Sequence, residues 1–146
     1  KAKIITTERT IEADDFFKVG VQASTLLARD ELVKEILLPK PDANTKSVYL
    51  KFRHRNAIDF PLFSVAVAVT REGPRVTKAR IVLGGAAPVP KRAESAAALM
   101  TGKELTASLA AQVAEEALKD ALPMRENAYK LIAAKAYVKR AVEALI

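Results

Sequence analysis

Tyr49–Thr70 reads YLKFRHRNAIDFPLFSVAVAVT, and its second half decides the fold. From Phe63 to Thr70, Val65, Val67 and Val69 alternate with Ala66 and Ala68. Period-two alternation predicts a β-strand with one buried face. The first half opens with an aromatic and aliphatic run, Tyr49-Leu50-Lys51-Phe52, which predicts a second strand over 49–53. Between the two lies a charged turn, Arg53-His54-Arg55 and then Asp59. A turn of this kind at a sheet end can aim side chains at a ligand or partner from a fixed scaffold.

Working outward, Arg71-Glu72-Gly73-Pro74 is a turn by its Gly and Pro. Arg75–Leu83 returns as a strand, with Ala79, Ile81 and Leu83 facing one way and Lys78 and Arg80 the other. The two strands around Gly73 therefore form a hairpin with one wet face. Gly84-Gly85-Ala86-Ala87-Pro88-Val89-Pro90 leaves the sheet. It has neither GxGxxG nor GxxxxGK[ST] spacing, so it reads as a tight turn with close backbone approach and not as a phosphate loop. Three helical patterns follow: Arg92–Met100, stopped at Gly102; Ala107–Leu122, stopped at Pro123, with Glu115 and Lys119 placed for an i,i+4 ion pair; and Glu126 to the end. Leu131, Ala134, Val138, Ala141 and Leu145 make one apolar stripe on the last.

Upstream, Glu31–Leu38 is short and proline-stopped, which favours a strand over a helix. Residues 40–47 are loop by composition. In the lead-in, Ile4-Ile5 and Thr10-Ile11 suit short extended pieces, and Asp14–Lys18 suits one helical turn ended by Gly20. Strands followed by helices predict an α+β fold: a small antiparallel β-sheet of about three strands packed against a C-terminal three-helix layer.

Half of the 146 residues are hydrophobic and 28% are charged, a globular composition. No cysteine is present, which excludes disulfides, thiol nucleophiles and cysteine-ligated iron–sulfur clusters in this chain. The single histidine, His54, excludes multi-histidine metal sites. No apolar run approaches a membrane span of roughly 20 residues, and no signal peptide is visible. Beginning at Lys1, the chain reads as a piece of something longer. The net charge of +7 sits in the strand-rich middle, where residues 71–92 hold six basic side chains against one acidic. Such a field attracts nucleic acid, a phosphate-bearing cofactor or an acidic partner, or is simply a solvated basic surface.

No catalytic constellation is evident. Nothing pairs His54 with a serine, and it reads as an exposed turn residue between two arginines. Asp14-Asp15 and Glu115-Glu116 are adjacent pairs whose side chains diverge, as expected of a helix start and a solvated helix face. Tyr129 and Tyr137 suit core or boundary positions.

Tyr49-x-Lys51-x-x-x-Arg55-x-x-x-Asp59, then Leu83-Gly84-Gly85-Ala86-Ala87-Pro88-x-Pro90-x-Arg92-Ala93, Leu99-x-x-Gly102 and Tyr129-Lys130 together resemble the C-terminal domain of the FAD-binding subunit of molybdenum hydroxylases, the xanthine dehydrogenase and carbon monoxide dehydrogenase group. Glu31-Leu32 through Leu38-Pro39 resembles that domain's first strand, and Arg9-x-Ile11 through Phe16-Phe17 the tail of the preceding flavin domain. The resemblance implies residues 1–30 as that tail or a linker and 31–146 as the C-terminal domain. It implies an oxidoreductase complex in which this domain closes over one side of FAD, with electrons passing from molybdenum through iron–sulfur clusters to the flavin. Lys51, Arg55 and Asp59 match the family's residues near the flavin. The expected partners are the FAD-binding domain of the same subunit and the molybdenum-binding and iron–sulfur subunits, in the cytoplasm, with no membrane and no nucleic acid. The chain departs from the family in lacking the flavin-binding domain and its pyrophosphate loop, so it is expected to be inactive and without FAD alone. The alternatives are a basic nucleic-acid-binding module, against which the strands show no evident aromatic stacking platform, and a protein-interaction module with no cofactor.

Overall fold

In the computed structural model, which describes residues 2–56 and 58–146, the chain forms two compact units dividing between Pro41 and Asp42. In the first unit, β1 (Lys3–Thr6) lies between β2 (Thr10–Glu12) and β3 (Val33–Leu37), both antiparallel to it. Ile4 faces Ile11 and Ile36 across this sheet. Ile4, Ile11 and Phe16 are buried together, the last on the one-turn helix α1 (Ala13–Phe16). The helical turn expected over Asp14–Lys18 therefore forms, but as Ala13–Phe16, so it ends at Phe16 and not at Gly20.

Buried within this unit, Glu31 ties the long connection back to the sheet. Its carboxylate accepts hydrogen bonds from Thr6 Oγ1 at 2.6 Å, Arg9 Nε at 3.0 Å and Nη2 at 3.0 Å, and the Ala28 backbone N–H at 2.9 Å. These donors, Arg9 foremost, hold its pKa down to about 2.

The second unit holds a sheet in the order β4 (Thr45–Phe52), β5 (Phe63–Glu72), β6 (Arg75–Gly84) and β7 (Lys91–Arg92), antiparallel throughout. Three long strands match the expected number; β7 adds a two-residue fourth. Val65, Val67 and Val69 are buried on the inner face as the alternation predicts. Each such side chain contributes roughly 1.5–3 kcal/mol of burial. Opposite them on β6 stand Leu83, Ile81 and Ala79.

Three helices cover this face: α2 (Glu94–Met100), α3 (Ala107–Ala117) and α4 (Ala128–Glu143). α4 packs on β4 and β5, α2 packs on β6, and α3 packs on both helices. Alanines at 96, 97, 110, 114, 117, 134 and 141 are buried, and their small side chains let the helix backbones approach. Thr106 caps α3 by accepting the Leu109 N–H at 3.1 Å. Gly102, at φ 78°, ends α2 as its position predicts.

Residues 45–47, expected as loop, belong to β4, and Arg92, expected to open a helix, lies in β7; three further expectations change. The strand within Glu31–Leu38 forms, but it pairs with β1 in the first unit and not with the sheet of the second. Pro39 and Pro41 lack the N–H that would continue a ladder, and the next strand starts a new sheet. Arg71 and Glu72 belong to β5, so the turn itself is Gly73–Pro74, with Gly73 at φ 57°. Arg71 is partly buried, with Nε and Nη2 enclosed by protein; nothing in the structure explains that placement.

The third change concerns α3. It ends at Ala117, so Lys119 lies beyond helical geometry and cannot meet Glu115 at i,i+4. Lys119 instead pairs with Glu116 at 2.7 Å, and Glu115 pairs with Lys135 of α4.

Candidate cofactor-facing site

The three residues singled out by the sequence lie at or just beyond the C-terminal end of β4. Phe52 faces Phe63 on the inner side of the sheet and packs against the Tyr137 ring of α4, centroids 5.4 Å apart and planes tilted by 46°. Alternation therefore turns Lys51, opposite Ser64, to the outer side. Its side chain is half-buried and has no ion-pair partner among the described residues.

The turn of residues 53–62 is closed at its base by the Leu62 N–H donating to the Phe52 carbonyl at 2.8 Å. Within it, Asp59 accepts the Arg55 backbone N–H at 3.3 Å and Arg55 Nε at 3.4 Å. The Arg55 guanidinium, with help from backbone donors and the nearby His54, holds the Asp59 carboxyl below the usual carboxylate range. Arg53 and His54 are exposed, and Ala57 lies outside the described residues. The structure thus brings Arg55 and Asp59 together and leaves Lys51 apart from both.

The glycine pair beside this turn does not cradle a phosphate. A Cβ on Gly85, whose φ is 67°, would come within 2.9 Å of the Leu62 carbonyl oxygen, and one on Gly84 within 2.3 Å of Ser64 Oγ. The missing side chains make room for the start of β5, as the tight-turn reading requires. A cavity of about 200 Å³ opens between this loop, the end of α3 and the start of α4, floored by Phe63, Leu83, Leu118 and Leu131 with Lys130 beside them.

The outer face of the sheet carries Tyr49 and Lys51 on β4, Ala66 and Ala68 on β5, and Lys78, Arg80 and Val82 on β6. Tyr49 is the one ring on that face among the described residues. No group of three or more metal-ligating side chains occurs among the described residues, and no helix there is long and apolar enough to cross a membrane.

Sequence reasoning missed the exposed apolar side chains at this end of the unit, Ile58 and Phe60 in the turn and Leu122 and Met124 between α3 and α4. No periodicity marks them, because they lie in connections. It also missed the Glu31 network, whose partners lie as far as 25 residues away in sequence.

This build defines a class: an α+β domain with an antiparallel sheet covered on one face by three helices, offering a basic turn from the sheet end. The chain belongs to the family of the CO dehydrogenase flavoprotein C-terminal domain, whose model matches residues 48–145. It is 34% identical over 111 residues to the nicotine 6-hydroxylase medium subunit of Paenarthrobacter nicotinovorans, covering 76% of this chain and 38% of that one. It is 32% identical over 140 residues to the carbon monoxide dehydrogenase medium chain of Hydrogenophaga pseudoflava, covering 93% of this chain and 48% of that one.

The solved structure of the Hydrogenophaga pseudoflava carbon monoxide dehydrogenase that lacks the Mo-pyranopterin moiety superposes with a TM-score of 0.85 at 32% identity. That match covers 98% of this chain and 52% of the other. The chain therefore spans about half the length, or less, of the relatives it matches.

Proposed function

We propose that this chain is the C-terminal part of the FAD subunit of a cytoplasmic, molybdenum-containing oxidoreductase of the xanthine and carbon monoxide dehydrogenase type. In this reading it caps a flavin held by the other half of the subunit and does no redox chemistry alone. The observation that carries the reading is the family match over residues 48–145 together with superposition of nearly the whole chain on a carbon monoxide dehydrogenase chain. The word "medium" in the relatives' names supports assembly with other chains, here a molybdenum-binding and an iron–sulfur subunit. Residues 1–30 are read as the tail of the flavin domain. The division at Pro41 supports adding β3 to that tail, with the capping domain proper beginning near Asp42.

The residues present fit a capping role better than a holding one. The space beside the glycine pair is taken by Ser64 and the Leu62 carbonyl, which supports a reading in which the diphosphate is held by the other half. Lys51, Arg55 and Asp59 are the residues proposed to approach the flavin. Bound FAD supplies two-electron and one-electron transfer. The Lys51 ammonium, half-buried and without an ion-pair partner among the described residues, favours negative charge placed beside it where water is thin. β4 presents Lys51, and the Arg55–Asp59 contact holds the turn that follows the strand.

The test is Lys51→Met in the complete subunit. The flavin midpoint potential is expected to fall, with FAD content and melting temperature unchanged. A potentiometric titration showing an unshifted midpoint would leave Lys51 as ordinary surface.

A further inference from the structure

β6 is the last long strand of its sheet, and its far edge is only partly paired. At one end β7 meets Val82 and Leu83, and the Ala93 N–H donates to the Ile81 carbonyl at 3.0 Å. At the other end the Val76 N–H donates to the Lys103 carbonyl at 2.9 Å, and the Val76 carbonyl accepts the Gly102 N–H at 2.8 Å. Because the Ile81 carbonyl points off this edge, antiparallel alternation turns the N–H and C=O of Ala79 the same way. These two groups and the Ile81 N–H have no backbone partner on this edge among the described residues. Beside them a groove of about 260 Å³ lies between β6 and α2, lined by Ala79, Ile81, Ala97, Ala98 and Thr101.

The basic charge of residues 71–92, which the capping of a flavin does not use, gathers here. Arg75, Lys78, Arg80, Lys91, Arg92 and Lys103 stand along the edge and at its ends. Three carboxylates accompany them: Glu72 across the hairpin from Arg75, Glu104 bridged to Arg75, and Glu94, 3.6 Å from Arg92. Glu116 reaches Ser95 of α2 but is engaged by Lys119 at 2.7 Å. Lys78 and Arg80, exposed on the outer face, have no ion-pair partner among the described residues.

We infer that the open edge of β6 takes up a short, extended, acidic segment of another polypeptide, added as a strand between β7 and residues 102–103. The free groups of Ala79 and Ile81 bind its main chain. Alternation gives the segment two faces. Its acidic side chains lie outward beside Lys78 and Arg80, where opposite charges on neighbouring strands stabilise the pairing. Its apolar side chains enter the groove beside Ala97 and Ala98. A second copy of this chain does not fit, because two β6 edges set together oppose Lys78 and Arg80 to the same cations. The inference stands independently of the flavin reading.

The test is amide hydrogen exchange in the complete subunit, read at Ala79 and Ile81, with and without a blocked peptide of alternating glutamate and valine. Both amides are expected to exchange fast in the subunit alone and about tenfold more slowly with saturating peptide. The same peptide with a central proline keeps its charge, loses the ladder and is expected to protect neither amide. Lys78→Glu combined with Arg80→Glu should abolish protection by the glutamate peptide and transfer it to a lysine–valine peptide. No protection by the glutamate peptide, or equal protection by its proline version, overturns the inference. Slow exchange of both amides without peptide also overturns it, since the edge is then already covered. Equal protection by a DNA duplex would overturn it and assign the basic edge to nucleic acid.

Discussion

Glu31 shows how one side chain can hold a segment with little regular secondary structure. The connection from Phe17 to Leu32 has little regular structure, yet its end is anchored by a carboxylate that Thr6, Arg9 and Ala28 all reach. Those donors favour the ionised form, so the folded pKa lies near 2, below the unfolded value of roughly 4.3. A depressed pKa of this sign contributes stability that is fully present above the unfolded value and is lost as pH falls through the folded one. Denaturant titrations of the first unit should therefore weaken between about pH 4 and pH 2. Glu31→Gln should be less stable at neutral pH and should lack that acid-dependent increment. Parallel acid profiles for the two proteins would remove Glu31 from this role.

At the scale of elements, α4 and β5 were the most legible. The three-and-four spacing of Ala134, Val138 and Ala141 predicts a buried stripe, and all three are buried, Val138 completely. Val138→Asp would place a charge with no partner in the core and should cost about 4 kcal/mol. An unchanged melting temperature would refute the packing described for α4. Helix ends were less legible. The sequence from Leu118 to Leu122 still looks helical, but α3 stops at Ala117 and the next residues turn toward α4. The Glu115–Lys119 pair expected from spacing is replaced by Glu115–Lys135, a partner that spacing within one helix cannot reveal.

At the scale of the whole molecule, the chain is two compact units, and the space beside the glycine pair is taken by Ser64 and the Leu62 carbonyl, as a tight turn requires. Purified alone, the chain should fold and be colourless. A stoichiometric flavin absorbance surviving extensive dialysis would contradict the capping role. The position of Lys51 near the sheet end was legible from the strand expected over 49–53 and the charged turn after it; the side it faces was settled by Phe52 packing inward. Its separation from Arg55 and Asp59 was not, because the course of the 53–62 turn depends on the Leu62–Phe52 hydrogen bond and the Arg55–Asp59 contact.

By itself the sequence determined the α+β class, the β5–β6 hairpin and the buried stripes, because period and glycine placement act locally on the backbone. Only the tertiary structure decided that β3 joins β1 and not β4, where α3 ends, and that Ile58, Phe60, Leu122 and Met124 are left exposed in the connections of the second unit. Strand edges offer the same N–H and C=O groups to any neighbour, so the choice of partner falls to side chains distant in sequence that meet only in the folded chain.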